Sequence, residues 1–152
     1  MTHPDPGVHF RIDQGRRIIR ILPEGDAPFE DITALTGPIR EHPDFSSVFG
    51  RAWDLSAVTW PVGEEHVTEL FEADRSIPRH PHGGKTAIIV DLDVYHVMAR
   101  SHPHRVMGKE GRVRRVFPSH FEAEVWLLAP LFTPDSRGRI HASPEALLEG
   151  ER

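Results

Sequence analysis

Apolar and polar positions change period along the chain, and these changes mark the predicted elements. Short apolar runs rich in Ile and Val, such as residues 17–22 and 86–90, are typical of strands. Most of these runs are followed by a segment in which apolar residues recur every three or four positions, as on one face of a helix. The pattern predicts the order strand, strand, helix, strand, helix, strand, helix, strand, helix.

These elements predict one α/β domain. Strands are predicted at residues 8–12, 17–22, 51–55, 86–90 and 113–117, and helices near residues 26–42, 64–71, 93–101 and 119–128. The first two strands are separated by a short polar turn and are expected to form a hairpin. Strands joined by a helix run parallel with right-handed crossovers, so the last four strands are expected to be parallel. The expected fold is a mixed five-stranded sheet with four helices.

Prolines mark the start and the interior of the first predicted helix. Asp26 is expected to cap free amide groups at its start, with Pro28 in the first turn, where no amide hydrogen is needed. Gly37-Pro38 is expected to break the helix, because proline removes a hydrogen bond and clashes with the preceding turn.

The last two helices have candidate capping residues. Asp93 is expected to cap the third helix. Ser119 and Glu122 have the spacing of a capping box for the fourth helix. Helical spacing predicts that the inner face of this last helix consists of Phe121, Val125 and Leu128.

Composition limits the class of protein. The chain has 152 residues, the size of one domain, with no cysteine and a net charge of −5. The lack of cysteine excludes disulfides and zinc–thiolate sites, and the negative charge argues against a nucleic-acid partner. No apolar run approaches the roughly 20 residues that span a bilayer, and the N-terminus does not have the pattern of a signal peptide. We expect a cytoplasmic protein with a loose arm at 1–7, a domain at 8–128 and a C-terminal extension at 129–152.

Three motifs follow one another along the chain, and the first is Asp-Leu-Ser-Ala-Val-Thr at residues 54–59. It resembles the DLS-x-V segment that ends the central strand of the STAS-like fold, the fold of bacterial anti-sigma-factor antagonists. The other two resemble a branch of small uncharacterised STAS-like proteins, with an Ala-Ile-Val strand, a Tyr…Ala-Arg helix and a closing VF…EA..WL pattern. In this chain they are residues 85–90 with Tyr95 and Met98-Ala99-Arg100, and residues 115–117 with Glu122-Ala123 and Trp126-Leu127. The resemblance implies a regulatory or protein-interaction module.

One position departs from this resemblance. In the antagonists, a phosphorylated serine lies at the start of the helix after the DLS strand. The corresponding segment here is Val62-Gly63-Glu64, which has no hydroxyl group. The glutamates that follow would repel a phosphate. The expected module therefore works without this phosphoserine.

Polar residues gather at the predicted carboxyl ends of the parallel strands, where α/β folds commonly bear sites. A carboxylate beside a histidine can serve as acid and base. The competing interpretation assigns Asp93 and Ser119 to helix caps and Asp54 to a loop. Trp60 is expected in the core or in a pocket wall. The candidate pocket residues are Asp54, Ser56, Trp60, Asp91, Asp93, Tyr95, His96, Ser119 and His120.

Two His-Pro-His segments are weak candidates for a metal site. The first precedes the fourth strand and the second follows the third helix, so both are expected at the same edge of the sheet. Neutral imidazoles bind zinc, nickel or copper, but no fixed-spacing metal motif is present. The four residues are His80, His82, His102 and His104. The prediction is no bound metal and no cofactor.

Charged residues form two runs of opposite sign, which are solvated faces or complementary patches for self-association or an anionic partner. The basic run comprises Arg100, Arg105, Lys109, Arg112, Arg114 and Arg115. The acidic run, on the second predicted helix, comprises Glu64, Glu65, Glu69, Glu72 and Asp74.

The last predicted helix carries more apolar residues than one face can bury. The candidate interface residues are Trp126, Leu127, Leu128, Leu131 and Phe132. Either this segment forms a two-fold homodimer or the C-terminal tail, through Ile140 and Leu147, covers it within one chain.

The sequence thus favours a non-catalytic STAS-like interaction module whose partner it does not name. Two alternatives remain. One is a small-molecule or metal-dependent enzyme that uses the carboxyl edge of the sheet. The other is a carrier of an apolar ligand, bound between helices and sheet.

Overall fold

Five strands form one mixed sheet in chain order. The computed structural model describes residues 8–81, 83–103, 113–129, 132–134 and 140–142. The strands are β1 (Phe10–Asp13), β2 (Ile18–Ile21), β3 (Gly50–Asp54), β4 (Thr86–Ile89) and β5 (Arg114–Phe117). β1 is antiparallel to β2, and β2 to β5 are parallel. The predicted α/β fold and the direction of every strand are confirmed.

The helices follow the strands as predicted. They are α1 (Phe29–Thr33), α2 (Thr36–Glu41), α3 (Glu64–Asp74), α4 (Leu92–Ser101) and α5 (His120–Leu128). α1 and α2 correspond to the first predicted helix; its predicted start and break were wrong, whereas its predicted end at His42, the C-cap of α2, is confirmed. The chain stays extended at Pro28, one residue before α1, so Asp26 caps nothing. The break lies at Ala34 and Leu35, and Pro38 fits inside the first turn of α2, where no intrahelical amide bond is needed.

The sheet has two unlike faces. Side chains in register on neighbouring parallel strands point to the same side. One face, with Ile19, Trp53 and Ile88, packs against residues of α1 to α4 in the larger apolar core. Among the described residues, the other face packs against α5, over Ala52 and Ala87, which are in register. These small side chains allow the helix to approach the sheet closely.

The inner face of α5 differs from the prediction. Ala123 and Trp126 point inward, whereas the residues predicted to be buried, Phe121, Val125 and Leu128, are exposed. The Trp126 ring packs on Phe117, with ring centroids 5.3 Å apart. The buried Lys85 ammonium donates to the carbonyl oxygens of Trp126 and Ala129 and so occupies the carboxyl end of the helix. Positions 121, 125 and 128 are spaced by four and three residues and so share one side of the helix. When Trp126 points inward, that side points outward.

A buried ion pair joins α3 to the sheet. Asp74 is fully buried and accepts four hydrogen bonds. Oδ1 accepts from Arg51 Nε (3.1 Å) and Trp53 Nε1 (3.0 Å), and Oδ2 accepts from Arg51 Nη2 (2.9 Å) and Thr86 Oγ1 (2.6 Å). Asp74 was grouped with the solvated acidic run in the sequence, and that interpretation is wrong for this residue. The four bonds satisfy a charge that would otherwise be costly to bury.

Beyond α5, β6 (Phe132–Pro134) and β7 (Ile140–Ala142) form an antiparallel pair. The predictions for residues 1–7, for the basic residues Arg105, Lys109 and Arg112 and for the tail after residue 142 fall outside the described residues. Within the described part of the chain, no helix has the length and apolar character needed to cross a membrane.

Candidate functional site

The carboxyl end of β3 and the start of α5 bring Asp54 and His120 together, as the candidate pocket required. His120 Nδ1 lies 3.9 Å from Asp54 Oδ2. On its other side, His120 Nε2 lies 3.1 Å from Glu124 Oε2, one helical turn along α5. The carboxylate side chains are only 14% and 16% exposed, whereas the imidazole is 50% exposed. The histidine is therefore oriented by two shielded carboxylates and open to solvent.

Arginines from the hairpin complete this group. Arg16 Nη1 donates to Glu124 Oε1 at 2.9 Å, and Arg20 donates to the same oxygen. Arg20 also donates to Asp13 Oδ2 at 2.9 Å. Together with Arg11, these residues line an open cleft of about 440 Å³ beside α5. The cleft lies where α5, which packs over β3 to β5, borders the hairpin, and Ile18 of β2 is buried in the smaller core beside it.

Arg16 and Arg20 favour the charged form of the Glu124 and Asp13 carboxylates. Partial burial acts to raise the pKa of Glu124, but the hydrogen bonds from Arg16 and Arg20 outweigh it, and the net pKa is lowered. The pKa of Asp13 is also lowered, first by the Arg16 amide and then by the Arg20 guanidinium. A carboxylate with a lowered pKa is a weaker base near neutral pH. The group therefore has the character of an ion-pair network.

Ser56 does not complete a catalytic triad here. Asp54 Oδ1 accepts from both the amide (2.9 Å) and the hydroxyl (2.5 Å) of Ser56, which forms a tight turn after β3. A serine nucleophile needs its hydroxyl on an imidazole that a carboxylate orients. In this site the hydroxyl is bonded to the carboxylate instead. Asp54 thus has the loop role that the sequence offered as the alternative.

The other candidate pocket residues fall into separate places. Trp60 packs with Phe29 and His66, and its Nε1 donates to the Ala27 carbonyl at 2.8 Å, so it belongs to a wall of the larger core. Tyr95 is half-buried against the same core. Asp91, Asp93 and His96 are exposed at the start of α4, and no hydrogen bond or ion pair among the described residues joins them to Asp54 or His120.

The two predicted caps have different outcomes. Ser119 Oγ accepts from the Glu122 amide at 3.2 Å and donates to the Glu122 carboxylate at 2.9 Å, so the predicted cap of α5 is confirmed. Asp93 is not a cap, because α4 begins at Leu92 and Asp91 occupies the N-cap position without a side-chain cap bond. Asp93 instead lies in the first turn, where its charge favours the helix dipole.

Arg20 and Glu124 were missed by sequence reasoning, although each left a signal. Arg20 is the one charged residue in an otherwise apolar β2, which indicates a partner on that face. Glu124 follows His120 by four positions, the spacing of neighbours on a helix surface. What the sequence did not indicate is that α5 packs over β3 to β5 on the face that brings Glu124 beside Arg16 and Arg20 of the hairpin.

The described histidines of the two His-Pro-His segments lie beside different elements. The His80 amide donates to the Ser47 carbonyl, just before β3. His102 Nε2 lies 3.1 Å from Glu64 Oε2, at the start of α3. His82 and His104 lie outside the described residues. Over the described ranges, no group of three or more His, Asp or Glu side chains is arranged to hold a metal ion.

The candidate interface residues differ in exposure. Trp126 is buried and Leu127 packs on the smaller core. Leu128 is exposed, as an interface residue should be. Leu131 and the side chain of Phe132 lie outside what the structure describes. The exposed large apolar side chains of α5 are Phe121, Val125 and Leu128, which we call the α5 stripe. Val48, Leu92 and Val97 are exposed elsewhere among the described residues.

Comparison with known proteins returned no match to any family model, curated protein or solved structure. The STAS-like resemblance therefore stays a prediction that depends on the motifs.

Proposed function

We propose that the protein is a non-catalytic interaction module of the STAS-like kind, and that it forms a two-fold homodimer through the α5 stripe. The observation that carries the proposal is the exposure of Phe121 (75%), Val125 (56%) and Leu128 (53%) on one side of a single helix. At 100° per residue, the three positions fall within an arc of about 60°. Contiguous exposed apolar groups usually mark contact surfaces.

The stripe extends onto the neighbouring loop. Leu128 lines a cleft of about 240 Å³ together with Val48, which is 39% exposed. Three side chains on a nine-residue helix are too few for a stable interface, which buries about 1,600 Å² in total. The cleft supplies further surface in continuation of the stripe.

Charge at the two ends of the stripe favours a second copy of the chain as the partner. Glu122 is exposed beside Phe121, at the amino end of α5. Arg16 and Arg17 line the cleft beside Leu128, at the carboxyl end. In an antiparallel two-fold pairing of α5, the acidic end of one copy meets the basic end of the other, with Val125 near the axis.

Binding without catalysis is favoured by the chemistry at the carboxyl edge. Ser56 is bonded to Asp54, and Glu124 is held as a charged partner of Arg16 and Arg20. At the position where the antagonists carry phosphoserine, α3 begins at Glu64 after Gly63, and no hydroxyl is present to accept phosphate. The proposed module is therefore not controlled by phosphorylation at that helix start.

Sedimentation equilibrium from roughly 1 to 100 µM tests the proposal. We expect the parent to dimerise and Val125→Asp to remain a monomer, because the change places two like charges near the axis. Leu92→Asp is the matched control: Leu92 is also 56% exposed, lies on α4 on the opposite face of the sheet, and should leave association unchanged.

A monomeric parent at 100 µM would contradict the homodimer. A Val125→Asp variant that also melts well below the parent would point to cover of the stripe within one chain, because an exposed position should change the free energy of unfolding by only about 0.5 kcal/mol.

A further inference from the structure

A row of polar side chains crosses the amino-terminal ends of β3, β4 and β5. Arg51 is in register with Thr86, and Thr86 is in register with Arg114. Residues in register on parallel strands project to the same face, so all three point toward the side that carries α3. Neighbouring strands lie about 4.8 Å apart, which places the backbone of Arg114 roughly 10 Å from that of Arg51.

Asp74 has no capacity left for a further arginine. A carboxylate offers about four acceptor positions. Those of Asp74 are used by Arg51 twice, by Trp53 and by Thr86. The negative charge of the Asp74 carboxylate is therefore already matched by the Arg51 guanidinium.

Two more guanidinium groups lie around this saturated pair. Arg79 is half-buried, and its one described hydrogen bond is a long one, 3.5 Å from Nη1 to the Gly83 carbonyl. Arg114 is also half-buried, and its Nε is buried without a hydrogen-bond partner among the described residues. Burial lowers the pKa of each, and the charge of neighbouring arginines lowers it further. Both groups are thus partly desolvated and positively charged, and Asp74 offsets them only in part.

We propose that Arg79 and Arg114 form a binding site for an oxyanion of the phosphate class. A guanidinium group presents a planar fork of donors that matches two oxygens of a phosphate. Such an anion would supply acceptors to Arg114 and would reduce the repulsion that Arg75, Arg79 and Arg51 exert on it. This site lies at the opposite edge of the sheet from His120 and is independent of the α5 stripe.

Calorimetric titration with inorganic phosphate tests the site, with sodium chloride used to hold ionic strength constant. We expect saturable binding to the parent and at least about tenfold weaker binding to Arg114→Gln, because a charge-assisted hydrogen bond is lost. Arg114→Lys keeps the charge without the fork and should fall between the two. Arg11→Gln, on the exposed edge strand, is the control and should bind like the parent.

Stability in chloride alone gives a second readout. Arg114→Gln should melt within about 2 °C of the parent, because the charge it removes has no hydrogen-bonded partner among the described residues and is offset by Asp74 only in part. The proposal is overturned if the parent shows no saturable binding, or if all variants respond equally, as general screening would produce. It is also overturned if Arg114→Gln melts far below the parent in chloride, since that would reveal an internal partner for the guanidinium.

Discussion

At the scale of single residues, Asp74 has the largest consequence for stability. It ends α3, is fully buried and satisfies donors from β3 and β4 at once. Removing one partner of such a pair leaves an uncompensated buried charge, whereas replacing both with apolar groups does not. The cost of a mutation here therefore depends on what remains in place of the pair.

We predict that Asp74→Ala lowers the free energy of unfolding by about 3–5 kcal/mol, because it strands the Arg51 guanidinium. The double variant Arg51→Met with Asp74→Leu should lose clearly less, since only Trp53 and Thr86 are then without their acceptor. Unfolding in guanidinium chloride measures both. A double variant as unstable as Asp74→Ala would mean that the lost hydrogen bonds, and not the stranded charge, dominate.

Sequence reasoning failed for Asp74 for a physical reason. Along the chain, Asp74 follows Glu64, Glu65, Glu69 and Glu72, and a run of acidic residues is usually solvated. Its partners, Arg51 and Thr86, are distant in sequence and each looks ordinary in its own strand. Only the packing of α3 across the sheet brings the three together.

At the scale of elements, the capping rules predicted α5 better than α4. The Ser119 hydroxyl accepts the expected bond from the Glu122 amide, whereas the Glu122 carboxylate accepts from the Ser119 hydroxyl and not from the Ser119 amide. The start of α4 offers two aspartates in three positions, Asp91 and Asp93, so composition alone did not decide which would precede the helix. The orientation of α5 was mispredicted because apolar residues occur on nearly all its sides and the largest, Trp126, took the inner position.

We predict unequal effects of two matched alanine substitutions. Ser119→Ala should lower the free energy of unfolding by about 1 kcal/mol, the usual cost of a lost N-cap. Asp93→Ala should cost about 0.5 kcal/mol or less, because Asp93 makes only a charge–dipole contribution in the first turn. Urea unfolding of both variants decides the point, and equal losses would contradict the assignment of Asp91 to the N-cap position.

At the scale of the whole molecule, strand order and direction followed from the sequence, whereas the distribution of helices over the two faces did not. Right-handed crossovers between successive neighbouring strands place their helices on one face, which accounts for α1 to α4. α5 follows the last strand of this sheet and does not connect two of its strands. The crossover rule therefore does not decide which face α5 covers. Its place on the other face exposes the α5 stripe, opens the cleft beside β1 and β2, and lets Glu124 meet Arg16 and Arg20.

This charge network links α5 to the hairpin, and it should make stability depend on pH. The pKa of Glu124 is lower in the folded chain than the ordinary value of 4.5, so the folded state favours the charged form. The resulting stabilisation is fully present above that ordinary value and is lost as pH falls through the lower, folded pKa. Asp13, whose pKa is also lowered by Arg16 and Arg20, acts in the same direction from its ordinary value of 3.8.

We therefore predict that Glu124→Gln is less stable than the parent by about 1 kcal/mol at pH 7, as expected for a shielded surface network. The difference should shrink as pH falls below 4.5, because the parent then loses the charge that the variant never had. Denaturant unfolding of both proteins between about pH 3 and pH 7 measures this difference. Glu69→Gln, at an exposed position on α3, is the control and should follow the parent at every pH. A constant difference between Glu124→Gln and the parent would show that Glu124 stabilises α5 by packing, and not through its charge.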